Sequence, residues 1–190
     1  MYSQILNNIK QHVTLSQLEE QEFVKLLTVR KVNKKEILCK EGIVCDTIYF
    51  VSKGCLRLFH KNADDEKTLD FLPENRWHTD FESYLLNLPS DENIDALEDS
   101  EVVLFKKKEF DKLLLKYPVF ERLGRLLAES ALIRMVLLAK EMRNLNPEER
   151  YLKILKTQPH LIEKIPQYFL ASYLGIQSES LSRIKKRILL

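Results

Sequence analysis

The sequence predicts an α+β fold in which an antiparallel β-roll or barrel precedes one long helix and an all-helical end. Short β-prone runs with a two-residue alternation occupy residues 36–106. No proline interrupts the chain between Val119 and Asn146, which favours a single long helix. The stretch from Gln167 to Lys186 then has the pattern of two short helices joined by a tight turn.

The body of the chain begins with a helix signal and continues with strand signals. Ser16 and Glu19 form a capping-box pattern, which predicts a helix of about three turns. Apolar runs follow, separated by glycine, proline or aspartate: EILCK, TIYFVS, CLRLFHK, KTLDFL, NIDAL and EVVLFK. Roughly six to eight short strands at this spacing are typical of an antiparallel roll or barrel. The segment KEFDKLLLK then predicts a short helix that ends near Pro118.

The composition is that of a globular chain. Of 190 residues, 45% are apolar and 31% are charged, with only four glycines and six prolines. No run of about 18 apolar residues is present, and the polar start lacks the apolar core of a signal peptide. We therefore expect a cytoplasmic protein without a membrane partner. Cys39, Cys45 and Cys55 are expected to be reduced thiols, and we predict no metal site.

The long helix carries more apolar side chains than one face can bury. The segment ALIRMVLLA is apolar almost all round, so a second partner is expected, most simply the same helix of another subunit. A helix buried within one subunit is the other interpretation. The residues predicted for the dimer helix contact are Leu123, Leu127, Ala131, Arg134 and Leu138.

A new unit begins at Asn146, where asparagine serves as helix cap, Pro147 as first residue and Glu149 as third. We divide the chain into a roll with N-terminal helices (residues 1–117), a dimerisation helix (118–145) and a helix-turn-helix (146–190). From residue 143 onward, nine basic residues face four acidic ones, so this part carries +5 and the first 142 residues carry −3. A basic end suggests a polyanionic partner.

The terminal segment meets the steric requirements of a helix-turn-helix. Ala171 stands where two crossing helices come closest, and Gly175 suits a turn that needs positive φ. The second helix then exposes short polar groups that reach base edges and cations that hold phosphates. A neutral explanation of the lysines is that they complement the helix dipole. The residues predicted to contact double-stranded DNA are Gln167, Gln177, Ser178, Glu179, Ser182, Arg183, Lys185 and Lys186.

The order of these motifs resembles the family of the cyclic-AMP receptor protein and the fumarate–nitrate regulator, Crp/Fnr. The similar features are Glu41-Gly42, the run IYFVSKGCLRLF around Gly54, the long helix and the run LGIQSESLSRI. The resemblance implies a cyclic nucleotide-binding-like, cupin-like β-roll (a double-stranded β-helix), a dimerisation helix and a DNA-binding helix-turn-helix. It also implies a homodimer, with RNA polymerase as a further candidate partner.

The cyclic nucleotide bound by relatives is not expected here. In the family a glutamate and an arginine hold the phosphate, and the corresponding positions are Asp80 and Ser90, so the arginine is missing. Residues 77–105 contain eight carboxylates and no lysine or arginine, whereas a buried phosphate needs cations or convergent donors. We expect no cofactor. A roll that senses an unidentified small effector and a roll without any ligand both remain open at this point. The candidate pocket residues are Arg57, Trp77, Asp80, Phe81 and Ser90.

Two further departures concern the DNA-reading end. Many relatives follow the recognition helix with a two-stranded wing, whereas three residues follow Arg187, so a wingless form is expected. The family's arginine-glutamate pair near the start of that helix reads Ser178-Glu179. The expected function is that of a dimeric, sequence-specific DNA-binding transcription regulator and not of an enzyme, because no catalytic arrangement is visible. The alternative is a sensor or interaction protein that does not read DNA.

Overall fold

The computed structural model describes residues 2–61 and 65–188. Among these, the helices are α1 (Ser3–Lys10), α2 (Gln17–Leu26), α3 (Phe81–Leu86), α4 (Lys107–Lys116), α5 (Pro118–Asn144), α6 (Pro147–Thr157), α7 (Pro159–Lys164), α8 (Gln167–Leu174) and α9 (Ser178–Ile188). The strands are β1 (Thr28–Val32), β2 (Ile37–Cys39), β3 (Thr47–Lys53), β4 (Cys55–Lys61), β5 (Glu66–Pro73), β6 (Trp77–His78), β7 (Asn93–Ala96) and β8 (Ser100–Lys106). The predicted α+β class is confirmed. Leu189 and Leu190, which bear on the predicted lack of a wing, lie outside the described residues.

The strands form two four-stranded antiparallel sheets, with the orders β1-β8-β3-β6 and β2-β7-β4-β5. Apolar side chains of both sheets fill the space between them, among them Tyr49 and Val51 of β3 and Leu56 of β4. Alternate residues of β3, such as Phe50, point to the opposite face, where helices cover them. Both faces of β3 are therefore buried, which explains its continuous apolar sequence.

The helices α1, α2, α4 and the start of α5 cover the outer face of the first sheet. Phe23 lies at the centre of this layer, stacked on Phe120 at 5.5 Å between ring centres and edge-on to Phe105 at 5.6 Å. The predicted capping box at the start of α2 is confirmed, because the Ser16 side chain accepts from the Glu19 amide and the Glu19 side chain from the Ser16 amide. This layer ties the beginning of the long helix to the roll.

All six predicted β-runs are strands, but β1 and β6 were not predicted. The strand β1 reads TVRKV and pairs with β8 along its whole length, so pairing rather than its own apolar pattern places it. The strand β6 has only two residues, which pair with Tyr49 and Phe50. The helix α1 was not predicted either. Only Ile5 and Ile9 on it are buried, which gives too short an apolar pattern to indicate a helix.

A close approach makes Gly54 necessary between β3 and β4. Its φ is +92°, and a Cβ built there would lie 2.3 Å from the Ser100 Oγ and 3.0 Å from the Ser100 Cα. Only a residue without a side chain fits both the backbone conformation and the space. The turn between β3 and β4 is thus fixed by one glycine.

Candidate nucleic-acid interface and sensory region

Helices α8 and α9 form the predicted helix-turn-helix. Gly175 follows α8 with φ +72°, and its amide donates to the Ser172 carbonyl at 3.0 Å. The Ile176 amide donates to the Ala171 carbonyl, also at 3.0 Å. These two bonds close the helix end in the manner that a left-handed glycine permits. Ala171 is buried, as the close approach of the two helices requires.

The two helices bury one side and expose the other. Leu170 and Leu174 of α8 pack with Leu181 and Ile184 of α9 in a single core. The exposed side of α9 carries Glu179, Arg183 and Lys186, which are spaced four and three residues apart and so share one face.

The structure places the eight predicted DNA-contacting residues around this face. Five are exposed, namely Gln167, Gln177, Glu179, Arg183 and Lys186, and three are half-buried, namely Ser178, Ser182 and Lys185. The Gln167 side-chain Nε2 donates to the Ser178 backbone carbonyl at 3.4 Å, so the first residue of α8 adjoins the first residue of α9. That these residues contact DNA stays a prediction.

The cations of this face are not neutralised by carboxylates. Within the described residues, Arg183, Lys185 and Lys186 take part in no salt bridge, and Arg183 donates only to the Ser180 hydroxyl at 3.1 Å. Arg187, by contrast, is paired with Glu148 of α6. Three adjacent unpaired cations give α9 a local positive potential suited to phosphate groups.

Comparisons with known proteins agree with this arrangement. Residues 29–117 match the family model described as cyclic nucleotide-binding domain. Among curated proteins, none matches the sequence. The fold is similar to that of FixK2 from Bradyrhizobium japonicum, at 16% identity and a TM-score of 0.74, covering 85% of this chain and 84% of that one.

Two further solved structures are similar. One is described as a transcriptional regulator of the Crp/Fnr family from Eubacterium rectale, at 16% identity and a TM-score of 0.71, covering 92% of this chain and 84% of that one. The other is the c-di-GMP responsive global regulator CLP of Xanthomonas campestris, at 15% identity and a TM-score of 0.67, covering 92% of each chain. The chain has the Crp/Fnr fold. The resemblance predicted from the sequence motifs is confirmed at this level.

In this Crp/Fnr fold, helix α8 is hydrogen-bonded to the roll. The Ser172 hydroxyl donates to the Glu66 carbonyl at 3.0 Å and accepts from the Thr68 amide at 2.9 Å. Phe71 of β5 packs against Tyr173 of α8, with ring centres 5.3 Å apart. The helix-turn-helix therefore rests on the outer edge of strand β5.

Arg57 also connects the roll with the helix-turn-helix, and sequence reasoning missed this role. It is 2% exposed and donates to both carboxylate oxygens of Asp95, at 3.0 and 2.8 Å, and to Glu66 at 2.8 Å. Its guanidinium carbon lies between two rings, 3.9 Å from the centre of Phe59 and 3.7 Å from that of Phe169. Because Phe169 is distant in sequence, no local signal reveals the contact.

The positions that hold the phosphate in relatives do not fit a cyclic nucleotide here. The Asp80 carboxylate accepts from the Ser83 amide at 3.0 Å and caps α3, while Ser90 exchanges hydrogen bonds with the Glu92 backbone. Burial, together with the charges of Asp80 and Asp91, raises the pKa of Glu92 to about 7. Surroundings that disfavour one carboxylate also disfavour a phosphate. The Arg57 Nε and Nη2 groups already bind Asp95 and Glu66, and only its Nη1 has no partner among the described residues.

The other two candidate pocket residues lie in different surroundings. The Trp77 indole donates to the Asn8 side chain at 2.6 Å and packs on Phe50, so it belongs to the helical layer outside the sheet. Phe81 is 39% exposed. Two surface cavities, of about 740 and about 270 Å³, are lined by none of the five residues predicted to form the pocket. That the five residues bind an effector stays a prediction.

The five residues predicted for dimer contact lie on the face of α5 that is turned toward its own subunit. Leu123 is 1% exposed, Leu127 packs on the same core, and Arg134 donates to Asp70 of β5. Ala131 and Leu138 are half-buried on this side. Whether these residues also contact a second subunit stays a prediction, because Ala131, Arg134 and Leu138 are only half-buried on their own roll.

The apolar residues that α5 leaves exposed lie elsewhere on its circumference. Leu132 is 61% exposed, Met135 62% and Met142 57%. Together with Ala128 and Ala139, also exposed, they are spaced four, three, four and three residues apart. This alternation is that of a coiled-coil seam.

Three further findings concern the described residues as a whole. The three cysteines are buried free thiols, as predicted. None of the described helices is both long and apolar enough to cross a bilayer, and no group of three potential metal ligands occurs among the described residues.

Proposed function

We propose that the chain is a dimeric, sequence-specific DNA-binding transcription regulator of the Crp/Fnr type. The observation that carries the proposal is the exposed face of α9, on which Arg183 and Lys186 have no carboxylate partner among the described residues. Short polar side chains near the start of this helix suit base edges, and the cations suit phosphates. Regulation rather than catalysis is the proposed role, and a cytoplasmic location follows from it.

The exposed seam of α5 supports the dimerisation part of the proposal. Ala128, Leu132, Met135, Ala139 and Met142 repeat with heptad spacing over four turns, and pairing two such helices removes their apolar surface from water. A two-fold axis along the pair places one α9 in each of two major grooves. The bound site is then a near-palindrome with half-sites roughly 34–36 Å apart.

An effector of unidentified structure completes the proposal, and RNA polymerase is a further candidate partner. The sites at Asp80 and Ser90 argue against a cyclic nucleotide, because the carboxylate-rich segment around Glu92 repels a phosphate. An effector acts only if it binds one arrangement of the recognition helices more tightly than the other.

Selection of duplexes from a random DNA library by the full chain tests the proposal, with sedimentation equilibrium to give the oligomeric state. A palindromic motif bound by a dimer is expected. Arg183→Ala then relaxes specificity at one base pair by about 1–3 kcal/mol if it reads a base. Lys186→Ala reduces the slope of log K against log salt by about 1 per recognition helix.

Lys40→Ala is the matched control, because Lys40 is exposed on the roll and far along the chain from α9. It is expected to change neither specificity nor salt slope. Equal behaviour of all three variants, or no DNA retention at low salt, contradicts the regulator proposal and favours a sensor or interaction protein instead.

A further inference from the structure

A cavity of about 270 Å³ opens where the roll, the long helix and the helical end of the chain meet. One wall comes from β5 and the turn after it, with Asp70 and Arg76, and one from α5, with Ile133 and Leu137. The third wall comes from α6, with Lys153 and Ile154. Each of the three parts that a regulator must move relative to one another contributes to this cavity.

The charged groups around the cavity differ in whether they have an ion-pair partner. Arg134 donates to both carboxylate oxygens of Asp70, and Lys153 is paired with Glu141. The Arg76 guanidinium has no hydrogen bond or ion pair to any described residue. Three cations thus face two carboxylates, and the surplus charge is on Arg76.

Arg76 is held firmly while its side chain stays free. Its amide donates to the Pro73 carbonyl at 3.2 Å, and its carbonyl accepts from the Val51 amide at 3.0 Å. The preceding Asn75, with φ +65°, donates to the Val51 carbonyl at 2.8 Å. Burial and the neighbouring Arg134 charge lower the pKa of Arg76 below its ordinary value. A positive charge that is desolvated and repelled by its neighbour gains most from an anion.

The remaining walls are apolar or aromatic. Ile133, Leu137 and Leu138 of α5 lie on one side, while Ile154 and Leu161 lie on the other. Ile133 and Leu137 are 60% and 51% exposed, so they gain burial when the space is filled. Mostly apolar walls with a few fixed polar groups are typical of small-molecule sites, although this volume is slightly below their usual range of about 300–1,000 Å³.

We propose that the cavity binds a small organic anion, with a carboxylate on Arg76 and an apolar body against the α5 and α6 walls. Such a molecule joins the roll to α5 and α6, so its binding fixes the position of the helical end relative to the long helix. This regulatory consequence rests on the proposed function, whereas the binding step does not.

Octanoate is a suitable probe. It has about ten non-hydrogen atoms, and the binding free energy typical of each atom in a small ligand implies a dissociation constant on the order of 1 mM. Titration of the full-length ¹⁵N-labelled chain, followed by NMR of backbone amides and arginine Nε groups, measures its binding. Octanamide, which has the same shape without the charge, is the matched ligand. Arg76→Gln is the test variant, Arg76→Lys keeps the charge, and Arg122→Gln alters an exposed arginine of α5 outside the cavity.

Octanoate is expected to shift the Arg76 Nε signal and the amides of α5 and α6 around the cavity, with octanamide at least about tenfold weaker. Arg76→Gln weakens octanoate binding to a similar degree, Arg76→Lys less, and Arg122→Gln leaves it unchanged. Equal binding of the two ligands, equal behaviour of Arg76→Gln and Arg122→Gln, or no octanoate binding overturns the site.

The two proposals fail separately. Octanoate binding without any DNA retention supports the site and overturns the regulator function. Sequence-specific DNA retention without octanoate binding supports the regulator function and overturns the site.

Discussion

The guanidinium carbon of Arg57 lies 3.7 Å from the centre of the Phe169 ring, so a residue of strand β4 touches one of helix α8. The same guanidinium binds Asp95 through two hydrogen bonds. A residue predicted from the sequence to line an effector pocket thus contacts two carboxylates of the roll and a ring of the helix-turn-helix.

Arg57→Gln is expected to lower the free energy of unfolding by about 3–5 kcal/mol, because it leaves the Asp95 carboxylate buried without its partner. Urea denaturation followed by circular dichroism measures the change. Phe169→Leu removes only the stacked ring and costs about 0.5–2 kcal/mol. The double variant should show coupling of similar size between the two sites. A loss below about 1 kcal/mol for Arg57→Gln contradicts a structural role for the pair.

Gly54 and Gly175 form a matched pair, because both have positive φ but only one is crowded. Gly175→Ala meets nothing within 4 Å, so it is expected to cost only the backbone strain of about 1–2 kcal/mol. Gly54→Ala adds a collision with Ser100, including its backbone, and should cost at least twice as much. Gly175→Asn should cost less than Gly175→Ala, since asparagine tolerates this conformation. Equal losses in thermal unfolding for the two alanine variants contradict the packing around Gly54.

Local patterns predicted most of the fold. The caps at Ser16 and Asn146, the glycine turn at Gly175 and the apolar strand runs depend on residues near one another in sequence, and each is present. The strands β1 and β6 were not predicted, because pairing with neighbouring strands, and not their own composition, stabilises them.

The site was harder to predict, since its residues act through distant contacts. Nothing near Arg57 in the sequence indicates Phe169, and nothing near Arg76 indicates the α6 wall of the cavity. The long helix is apolar almost all round, so its pattern could not separate the stripe that packs on the roll from the stripe that stays exposed. Leu123 and Leu132 differ in burial because of the roll, not because of their side chains.

The carboxyl group of Glu92 makes stability fall as pH rises. Its pKa is about 7 in the folded chain against an ordinary value of 4.5, because burial and the charge of Asp80 disfavour the ionised form. Between these values the unfolded chain ionises while the folded chain keeps its proton, so folding loses up to about 3 kcal/mol as pH rises from about 4.5 to 7. His78, 15% exposed, acts in the opposite direction: burial lowers its pKa to about 4, so stability falls as pH drops from about 6.5 toward 4.

Glu92→Gln removes the titration of Glu92, because glutamine does not titrate, and it leaves a side chain of similar size beside His78, whose Nε2 lies 3.8 Å from the Glu92 Oε2. The stability of the natural chain minus that of the variant, from urea denaturation at a series of pH values, should decrease between about pH 4.5 and 7 and then level off. The control substitution Glu82→Gln replaces an exposed carboxylate of α3 and is measured at the same pH values. A difference for Glu92→Gln that rises with pH has the wrong sign and rejects the buried, proton-retaining state of this group.

The exposed seam of α5 predicts how the dimer responds to charge. Leu132→Glu or Met135→Glu places a carboxylate at the centre of the proposed helix pair, where two copies meet across the axis. Like charges buried against each other are strongly unfavourable, so sedimentation equilibrium should show monomers where the natural chain is dimeric. Since both side chains are exposed in the single subunit, the variants should keep their fold, which circular dichroism checks.

Two control variants test whether the exposed seam of α5, and no other surface, holds the dimer together. Leu115→Glu changes a leucine that is 91% exposed on α4 and away from the seam, so the dimer should survive it. Arg134→Glu alters the subunit-facing stripe and breaks the bond to Asp70, which should lower stability without a direct effect on the seam. Suppose that Arg134→Glu folds and dissociates the dimer while Leu132→Glu leaves it intact. The dimer contact then lies on the face predicted from the sequence, and the exposed residues with coiled-coil spacing play no part in dimerisation. The opposite result assigns pairing to the stripe that the roll leaves uncovered, because only apolar surface still in contact with water can stabilise association.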